Sequence, residues 1–189
     1  LDLILRAQYE NGGWPQYYPP GKGYSRYITF NDGAMVGLMS FLREVGGSEG
    51  FDFVDRERRQ RANRAFEKGI ECILRCQIVV DGQPTAWCAQ HDEVTLEPRK
   101  ARTYEHPSIS GGESAGIVLL LMSVEDPSPE IIRAVDGASR WYEQVQLRGI
   151  RQIRRDGDKV IVRDVEAPPI WSRFYEIGTD RPIFSGRDG

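Results

Sequence analysis

The feature that most constrains the fold is a series of helix-like segments joined by connections of very unequal length. Within these segments, apolar residues recur at the three- and four-residue spacing of a buried helix face. Short connections cover roughly residues 46–54 and 125–127, and long ones cover roughly 9–30, 79–112 and 147–189. If successive helices run antiparallel, all three long connections lie at the same end of a helical bundle.

Capping residues give two of the helix starts. Asn31 or Asp32 is predicted to cap the helix of "NDGAMVGLMSFLREVGG", because short polar side chains accept hydrogen bonds from the first free amides. Ser128 is predicted to cap a later helix, with Pro129 in its first turn, where a missing N–H costs nothing. The segment "DGDKVIVRDV" is predicted to form a strand of a hairpin.

A weak internal repeat indicates the architecture. "ILRAQYENGGW" (4–14) and "ILRCQIVVDGQPTAW" (73–87) each end a helix with Ile-Leu-Arg-x-Gln and continue through a glycine turn to tryptophan. Repeated helical hairpins predict an all-α-dominated fold, an α/α toroid or solenoid, with long functional loops at one end. An irregular helical bundle without a true repeat is the alternative.

Composition excludes several classes of function. The chain has 189 residues, which is enough for a single domain with its own core. Its formal net charge of −3 disfavours general binding to nucleic acid or to anionic membranes. The longest strongly apolar run, "AGIVLLLM", is far shorter than the ~20 residues of a membrane span. We therefore expect neither a nucleic-acid nor a membrane partner.

The first long connection is rich in aromatic residues. It contains Trp14, Tyr17, Tyr18, Tyr24 and Tyr27 among glycines and prolines. Such rings can present flat, amphipathic surfaces to sugars. The alternative is that they only pack the loop onto the domain.

The other long connections concentrate positive charge. "LEPRKARTYEHPS" (96–108) holds three cations within four positions, and the last connection carries arginines among aromatic residues. Arginine binds carboxylates through two parallel hydrogen bonds. At one end of a bundle, this combination favours an anionic carbohydrate, and calcium could bridge sugar carboxylates to a protein carboxylate such as that of Asp32. The alternative for 96–108 is a solvated loop of mixed charge.

Four motifs give a resemblance to a known family. "QYENGGWPQYYP", "ITFNDGAM", "AWCAQHDEVTLEPRKARTYEHPSISGGES" and "WSRFYEIGTDRPIFSGRDG" closely resemble the pectate lyases of polysaccharide lyase family 10. The resemblance implies an α/α toroid-like fold, a calcium cofactor, and cleavage of polygalacturonate by β-elimination to 4,5-unsaturated oligogalacturonides. It further implies a secreted or periplasmic, monomeric enzyme.

The resemblance also implies roles for individual residues. Arg102, in "KARTYE", is expected to be the catalytic base, and Asp32 a calcium ligand. Arg173 and Arg187 are expected to bind substrate carboxylates. The remaining expected substrate-binding residues are Lys100, Tyr104 and Trp14.

An arginine base requires an explanation, since its aqueous pKa lies above about 12. Our hypothesis is that calcium, with Lys100 and Arg99, disfavours the charged form of Arg102 and so lowers its proton affinity. The same cations would attract the anionic substrate.

Residues 1–189 are expected to form one pectate lyase catalytic domain that is partial, because the resemblance implies a further helical region and a further acidic motif before "QYENGGWPQ". A non-catalytic module that binds acidic polysaccharide is the alternative function. A glycoside hydrolase with paired carboxylates is a third.

Overall fold

The computed structural model describes residues 1–185, and helices dominate its secondary structure. Its α-helices are α1 (Asp2–Ala7), α2 (Ala34–Gly47), α3 (Arg56–Cys76), α4 (Gly111–Met122) and α5 (Pro129–Gln144). Three short 3-10 turns span Gly23–Arg26, Asn31–Gly33 and Glu49–Phe51. None of the helices within residues 1–185 combines the length and apolar character needed to cross a bilayer.

Short antiparallel strands lie in the connections. They are β1 (Ile28–Thr29), β2 (Val79–Val80), β3 (Gln83–Pro84), β4 (Gln90–His91), β5 (Ile109–Ser110), β6 (Ile150–Arg155), β7 (Asp158–Arg163), β8 (Phe174–Tyr175) and β9 (Pro182–Ile183). β6 and β7 form the longest hairpin, as predicted for this segment, and β2 pairs with β3.

The helices pack as two neighbouring pairs. α2 packs on α3 and α4 packs on α5, while α2 also contacts α4 and α3 contacts α5. The apolar stripe of α3 explains its burial: Ala62, Ala65, Ile73 and Cys76 recur at helical spacing and are all buried in one core cluster. The prediction of an all-α-dominated fold built from helical hairpins is therefore confirmed at this level.

The two predicted capping arrangements have different outcomes. Ser128 caps α5 by accepting a hydrogen bond from the Ile131 amide, with Pro129 as the first helical residue. The prediction for α2 is wrong: its N-terminal flanking residue is Gly33, and no side chain caps it. Asp32 instead has a left-handed backbone conformation with a φ of 54°, which directs the chain from the 3-10 turn into α2.

Two small sheets join the three long connections. Ile28 of β1 pairs with His91 of β4, which ties the first connection to the second. Ser110 of β5 pairs with Phe174 of β8, which ties the second to the third. The expected meeting of the three long connections is confirmed, and it occurs beside the N-termini of α2 and α4.

The second connection is held by buried polar groups. The His91 ring is fully buried, accepts a hydrogen bond at Nε2 from the Cys88 amide, and contacts the Leu96 carbonyl through Nδ1 at 2.8 Å. Because Leu96 offers only an acceptor, Nδ1 carries the proton in the neutral ring. The Asp92 carboxylate accepts from two backbone amides and from Arg99. These bonds make residues 88–99 an ordered loop.

Burial of His91 predicts a specific loss of stability in acid. Burial lowers the pKa of His91 to about 4, against an ordinary value near 6.5. The stabilisation that the buried, neutral His91 ring contributes to the folded state is therefore fully present above pH 6.5. It is lost as the pH falls through 6.5 towards 4. The expected loss is about 3 kcal/mol of unfolding free energy.

This expectation can be checked by nuclear magnetic resonance, since the chain has only two histidines. The His91 ring of the folded protein should remain neutral at pH 5, whereas urea unfolding should already show a loss of stability between pH 6.5 and pH 5, because the unfolded chain binds the proton first. A His91 ring that titrates near pH 6.5 in the folded protein would contradict the prediction.

Candidate functional site

The candidate site lies where the three long connections meet. The 3-10 turn before α2 supplies Asn31 and Asp32, the second connection supplies Arg102 and Glu105, and the third supplies Arg173. Glu113, in the first turn of α4, completes the cluster. The turn at residues 31–33 also contacts α4 directly.

Arg102 is held by a buried carboxylate. Its Nε donates to Glu105 Oε2 at 2.9 Å and its Nη2 to Oε1 at 2.5 Å, while its backbone amide donates to Oε2 at 3.0 Å. The Glu105 side chain is only 1% exposed, whereas that of Arg102 is 44% exposed. The guanidinium also lies 5.0 Å from the centre of the Tyr104 ring. Arg102 is thus fixed on one edge by Glu105, lies over the Tyr104 ring, and remains partly open to solvent.

The charge of Arg102 is set by Glu105. The side-chain hydrogen bond with Glu105 raises the pKa of Arg102 further above its ordinary value, and the negative charges of Glu105 and Asp32 act in the same direction. Burial raises the pKa of Glu105, but its hydrogen bonds with Arg102 and the positive charges of Arg102 and Arg173 together outweigh burial, so its net pKa is lowered. In the protein alone, both groups are therefore charged at neutral pH.

This electrostatic setting differs from the hypothesis based on the cation cluster. Arg99 does not act on Arg102 as a free cation, because its Nε binds Asp92 Oδ2 at 2.9 Å. Lys100 is exposed and forms no ion pair within residues 1–185. The neighbouring cations therefore do not lower the proton affinity of Arg102, since the Glu105 carboxylate lies closer to it and dominates the local field.

Arg173 joins all three connections. Its Nη2 donates to Asn31 Oδ1 at 3.0 Å and lies 3.5 Å from Glu113 Oε1 and 3.8 Å from Glu105 Oε1. Its side chain is 45% exposed, and the guanidinium packs 4.8 Å from the centre of the Phe174 ring. Arg102 and Arg173 thus share Glu105, and each offers an accessible guanidinium for an anionic ligand.

Close backbone packing fixes the position of Arg173. A Cβ atom on Gly111 would lie 2.8 Å from the Ser172 carbonyl oxygen, so only glycine allows the third connection to approach the start of α4 this closely. The Gly111 amide donates to the Arg173 carbonyl at 2.9 Å. Ser110 Oγ donates to Glu113, which orients that carboxylate towards Arg173.

The predicted site residues have three outcomes: most lie at or near the cluster, Arg187 lies outside the described residues, and Trp14 lies in the core. Asp32, Arg102, Tyr104 and Arg173 lie at or beside the cluster, and Lys100 lies in the same loop. The Arg187 prediction falls outside the described residues.

The prediction for Trp14 is wrong. Its ring is 2% exposed within the core and its Nε1 donates to the Ile4 carbonyl at 2.9 Å. No face of the ring remains for a sugar. The alternative, that an aromatic residue of this connection packs the loop onto the domain, holds for Trp14.

Sequence reasoning missed the partners of the arginines. Asn31, a predicted helix cap, instead binds Arg173 across 142 positions of the chain. The sequence gives no role to Glu105 or Glu113, which bind the two arginines in the structure. The contacts with Arg173 gave no signal, because they join residues far apart in sequence. Glu105 lies only three positions after Arg102, but this spacing indicates an ion pair only once the loop conformation is known.

Comparisons with known proteins identify the family of the chain. The family model described as pectic acid lyase matches residues 1–189. The family 10 polysaccharide lyase from Cellvibrio cellulosa superposes with a TM-score of 0.88 and 34% identity over 98% of this chain. A mutant of that enzyme in complex with trigalacturonic acid gives the same TM-score and identity. Comparison with curated proteins gave no match.

The chain spans 58% and 59% of those two structures, respectively. The family model covers the whole chain, and the structural similarity extends over nearly all of it. The sequence identity of 34% is higher than proteins that share only a fold usually have. The chain therefore belongs to the pectic acid lyase family, that of the family 10 polysaccharide lyases.

Proposed function

We propose that the cluster around Arg102 and Arg173 binds polygalacturonate and cleaves it by β-elimination, as a pectate lyase. The main support is the pair of half-exposed guanidiniums that share the buried Glu105 carboxylate. Family membership and the trigalacturonic acid complex of the similar enzyme from Cellvibrio cellulosa add to it. The substrate carries one carboxylate on each sugar, which suits two neighbouring arginines.

In this reaction the proton on C5 is removed while the bond from C4 to its oxygen breaks. The negative charge that develops next to the sugar carboxylate must be stabilised. We assign carboxylate binding to Arg173, with Tyr104 and Lys100 contributing contacts or charge at the edge of the site. Arg187 keeps the role that the resemblance implies.

Arg102 is our candidate for the base at C5. Because Glu105 raises its pKa, Arg102 cannot accept a proton in the charge state found in the protein alone. The proposal therefore requires that binding of substrate and cation changes this balance. Glu105 acts as a positioning residue, since its two oxygens fix the orientation of the guanidinium plane.

Calcium would have to share its ligands with the substrate. Within residues 1–185 there is no group of three or more His, Cys, Asp or Glu side chains that could hold a metal ion. Asp32 supplies one carboxylate, whereas calcium takes six to eight oxygens. This donor set does not form a protein-only calcium site, and it fits only an ion whose other ligands are sugar and water oxygens. Bound in that way, calcium would neutralise substrate carboxylate charge.

A paired-carboxylate hydrolase is disfavoured by the charge state of the site. A hydrolase of this type needs one carboxylic acid held in its protonated form. The pKa of Glu105 is lowered, and Glu113 lies beside Arg173. Non-catalytic binding of pectate remains a second candidate, and the persistent charge of Arg102 is the observation that favours it.

The remaining features of the proposal follow the family resemblance. We propose that the helical pairs are part of an α/α toroid, and that the enzyme works as a secreted or periplasmic monomer. The full activity would be that of a carbon–oxygen lyase acting on polysaccharides.

Analysis of the products tests the proposed function. Polygalacturonate incubated with the protein and calcium should give chain ends that absorb in the ultraviolet and are lighter by one water than hydrolysis products. A chelator should abolish this activity. Saturated chain ends would indicate a hydrolase. Calcium-dependent binding without cleavage would contradict the lyase and support the non-catalytic binding module instead.

A further inference from the structure

The hairpin β6–β7 carries an unexplained concentration of positive charge. The register places Ile150, Gln152 and Arg154 of β6 on one face, opposite Arg163, Ile161 and Lys159 of β7. This groove face, defined by these six residues, carries three cations and no acid. None of the three cations forms a side-chain ion pair within residues 1–185.

Two of these cations lie directly opposite each other. Arg154 pairs in register with Lys159, an arrangement of like charges that destabilises a sheet. The other face of the hairpin is balanced: Arg155 lies opposite Asp158, and Arg151 binds Asp164 at 3.0 Å. The charge asymmetry between the two faces is not explained by the stability of the hairpin, and an anionic partner on the groove face would compensate it.

An open groove connects this face to the candidate site. Tyr104 and Arg173 line one part of it, and Gln152 and Lys159 line another. The lining also includes Trp171, whose ring is partly exposed and whose Nε1 donates to the Tyr142 carbonyl at 2.9 Å. The groove thus combines the cations Arg173 and Lys159 with an aromatic surface, which suits a linear, anionic sugar chain, while the other two cations of the groove face extend the positive charge along the hairpin next to it.

Asp158 is the one acid among the described lining residues. It is the first residue of β7, and its carboxylate accepts a hydrogen bond from the Lys159 amide. Further along the strand, Lys159 and Arg163 are separated by about 14 Å at the usual rise of a strand. Their row is therefore long enough to contact more than one sugar of an extended chain.

We propose that the groove face of the β6–β7 hairpin is a distal subsite that binds carboxylates of polygalacturonate beyond the sugars held at Arg102 and Arg173. This inference rests on the proposed function and extends it, because it predicts that the protein distinguishes long substrates from short ones. A nucleic acid is a poorer fit, since the chain has a net charge of −3 and the groove continues into a site shaped by arginine–carboxylate pairs.

A charge-matched pair of variants tests the subsite. R154Q/K159Q removes two cations from the groove face, while R151Q/R155Q removes two cations from the other face. Calorimetry would measure dissociation constants of each protein for trigalacturonate and for a long oligogalacturonate, with calcium present. Urea unfolding would verify that both variants remain folded.

The groove-face variant should bind the long oligomer about tenfold more weakly than wild type, corresponding to the loss of two partly exposed charge contacts. Its affinity for trigalacturonate should be unchanged, and the control variant should resemble wild type with both ligands. Equal weakening by the two variants would mean that only nonspecific charge is involved. The same conclusion would follow if wild type bound polyglutamate, used as a nonsugar polyanion, as tightly as the long oligomer. Either result would overturn the subsite.

Failure of the subsite can be distinguished from failure of the proposed function. If the groove-face variant binds both oligomers like wild type, while Arg173→Ala weakens both, the subsite is wrong and the central site stands. If wild type binds neither oligomer, the proposed function fails for this chain, and the subsite fails with it.

Discussion

Replacing Arg102 by alanine is expected to reduce the rate of unsaturated product formation from polygalacturonate by roughly a thousandfold, through loss of a general base and of a positive charge beside the reacting sugar. Binding of trigalacturonate should weaken far less, because Arg173 remains and still reaches Glu105 and Glu113. The initial rate of ultraviolet absorbance, measured with calcium at saturating substrate, gives the first quantity, and calorimetry gives the second.

Arg99 provides a matched control for this experiment. It lies in the same connection, is 43% exposed against 44% for Arg102, and also binds a buried carboxylate, that of Asp92. Arg99→Ala removes the same charge but leaves Asp92 bonded to the amides of Val94 and Thr95. We expect it to reduce the rate by no more than about tenfold. Equal losses in the two variants would show that loop order or total charge, rather than Arg102 itself, limits the reaction.

Replacing Trp14 by alanine is expected to lower the free energy of unfolding by about 3 to 5 kcal/mol. The ring is buried in the core between α1 and α3, lies against Gly69, and donates a hydrogen bond to Ile4. Its removal leaves both a cavity and an unpaired carbonyl. Urea unfolding at neutral pH measures the effect.

Trp171 is the corresponding control, because the other three tryptophans are buried. Its side chain is 43% exposed and lines the groove, so alanine should cost only about 1 to 2 kcal/mol of stability. The effects on binding should have the reverse order. Trp171→Ala should weaken the affinity of the folded protein for long oligogalacturonates more than Trp14→Ala does, although it costs less stability. A Trp14→Ala variant with wild-type stability and weakened sugar binding would restore the original interpretation of Trp14 as a substrate-binding residue.

The contrast between these two tryptophans shows where sequence reasoning lost precision. Both lie in long connections rich in proline and aromatic residues, and composition correctly indicated connections with many rings. Whether a particular ring faces the core or solvent depends on how the connection folds back. For Trp14 the deciding contact is with α1 and α3, and its position in the motif "NGGWPQ" carries no information about that contact.

The arginines show the same limit in electrostatic terms. The motif identified Arg102 and Arg173 as the residues of interest, and both lie at the meeting point of the connections. The neighbouring cations in the sequence suggested a lowered proton affinity for Arg102. The folded loop instead brings Glu105 into contact with it, and an ion pair at hydrogen-bonding distance outweighs cations that are solvated or already paired.

By itself, the sequence determined the helical pairs, the hairpin, the family and the end of the bundle at which the unusual residues gather. These features depend on local periodicity, capping and long motifs, all of which are properties of neighbouring residues along the chain. Only the tertiary structure decided that Trp14 belongs to the core, that Asn31 and Glu113 hold Arg173, and that Glu105 sets the charge of Arg102. The physical reason is that the burial of Trp14 and the contacts of Arg173 depend on distances between residues far apart in sequence, and packing fixes those distances. The Arg102–Glu105 pair is only three positions apart, but it forms because the folded loop buries the Glu105 carboxylate.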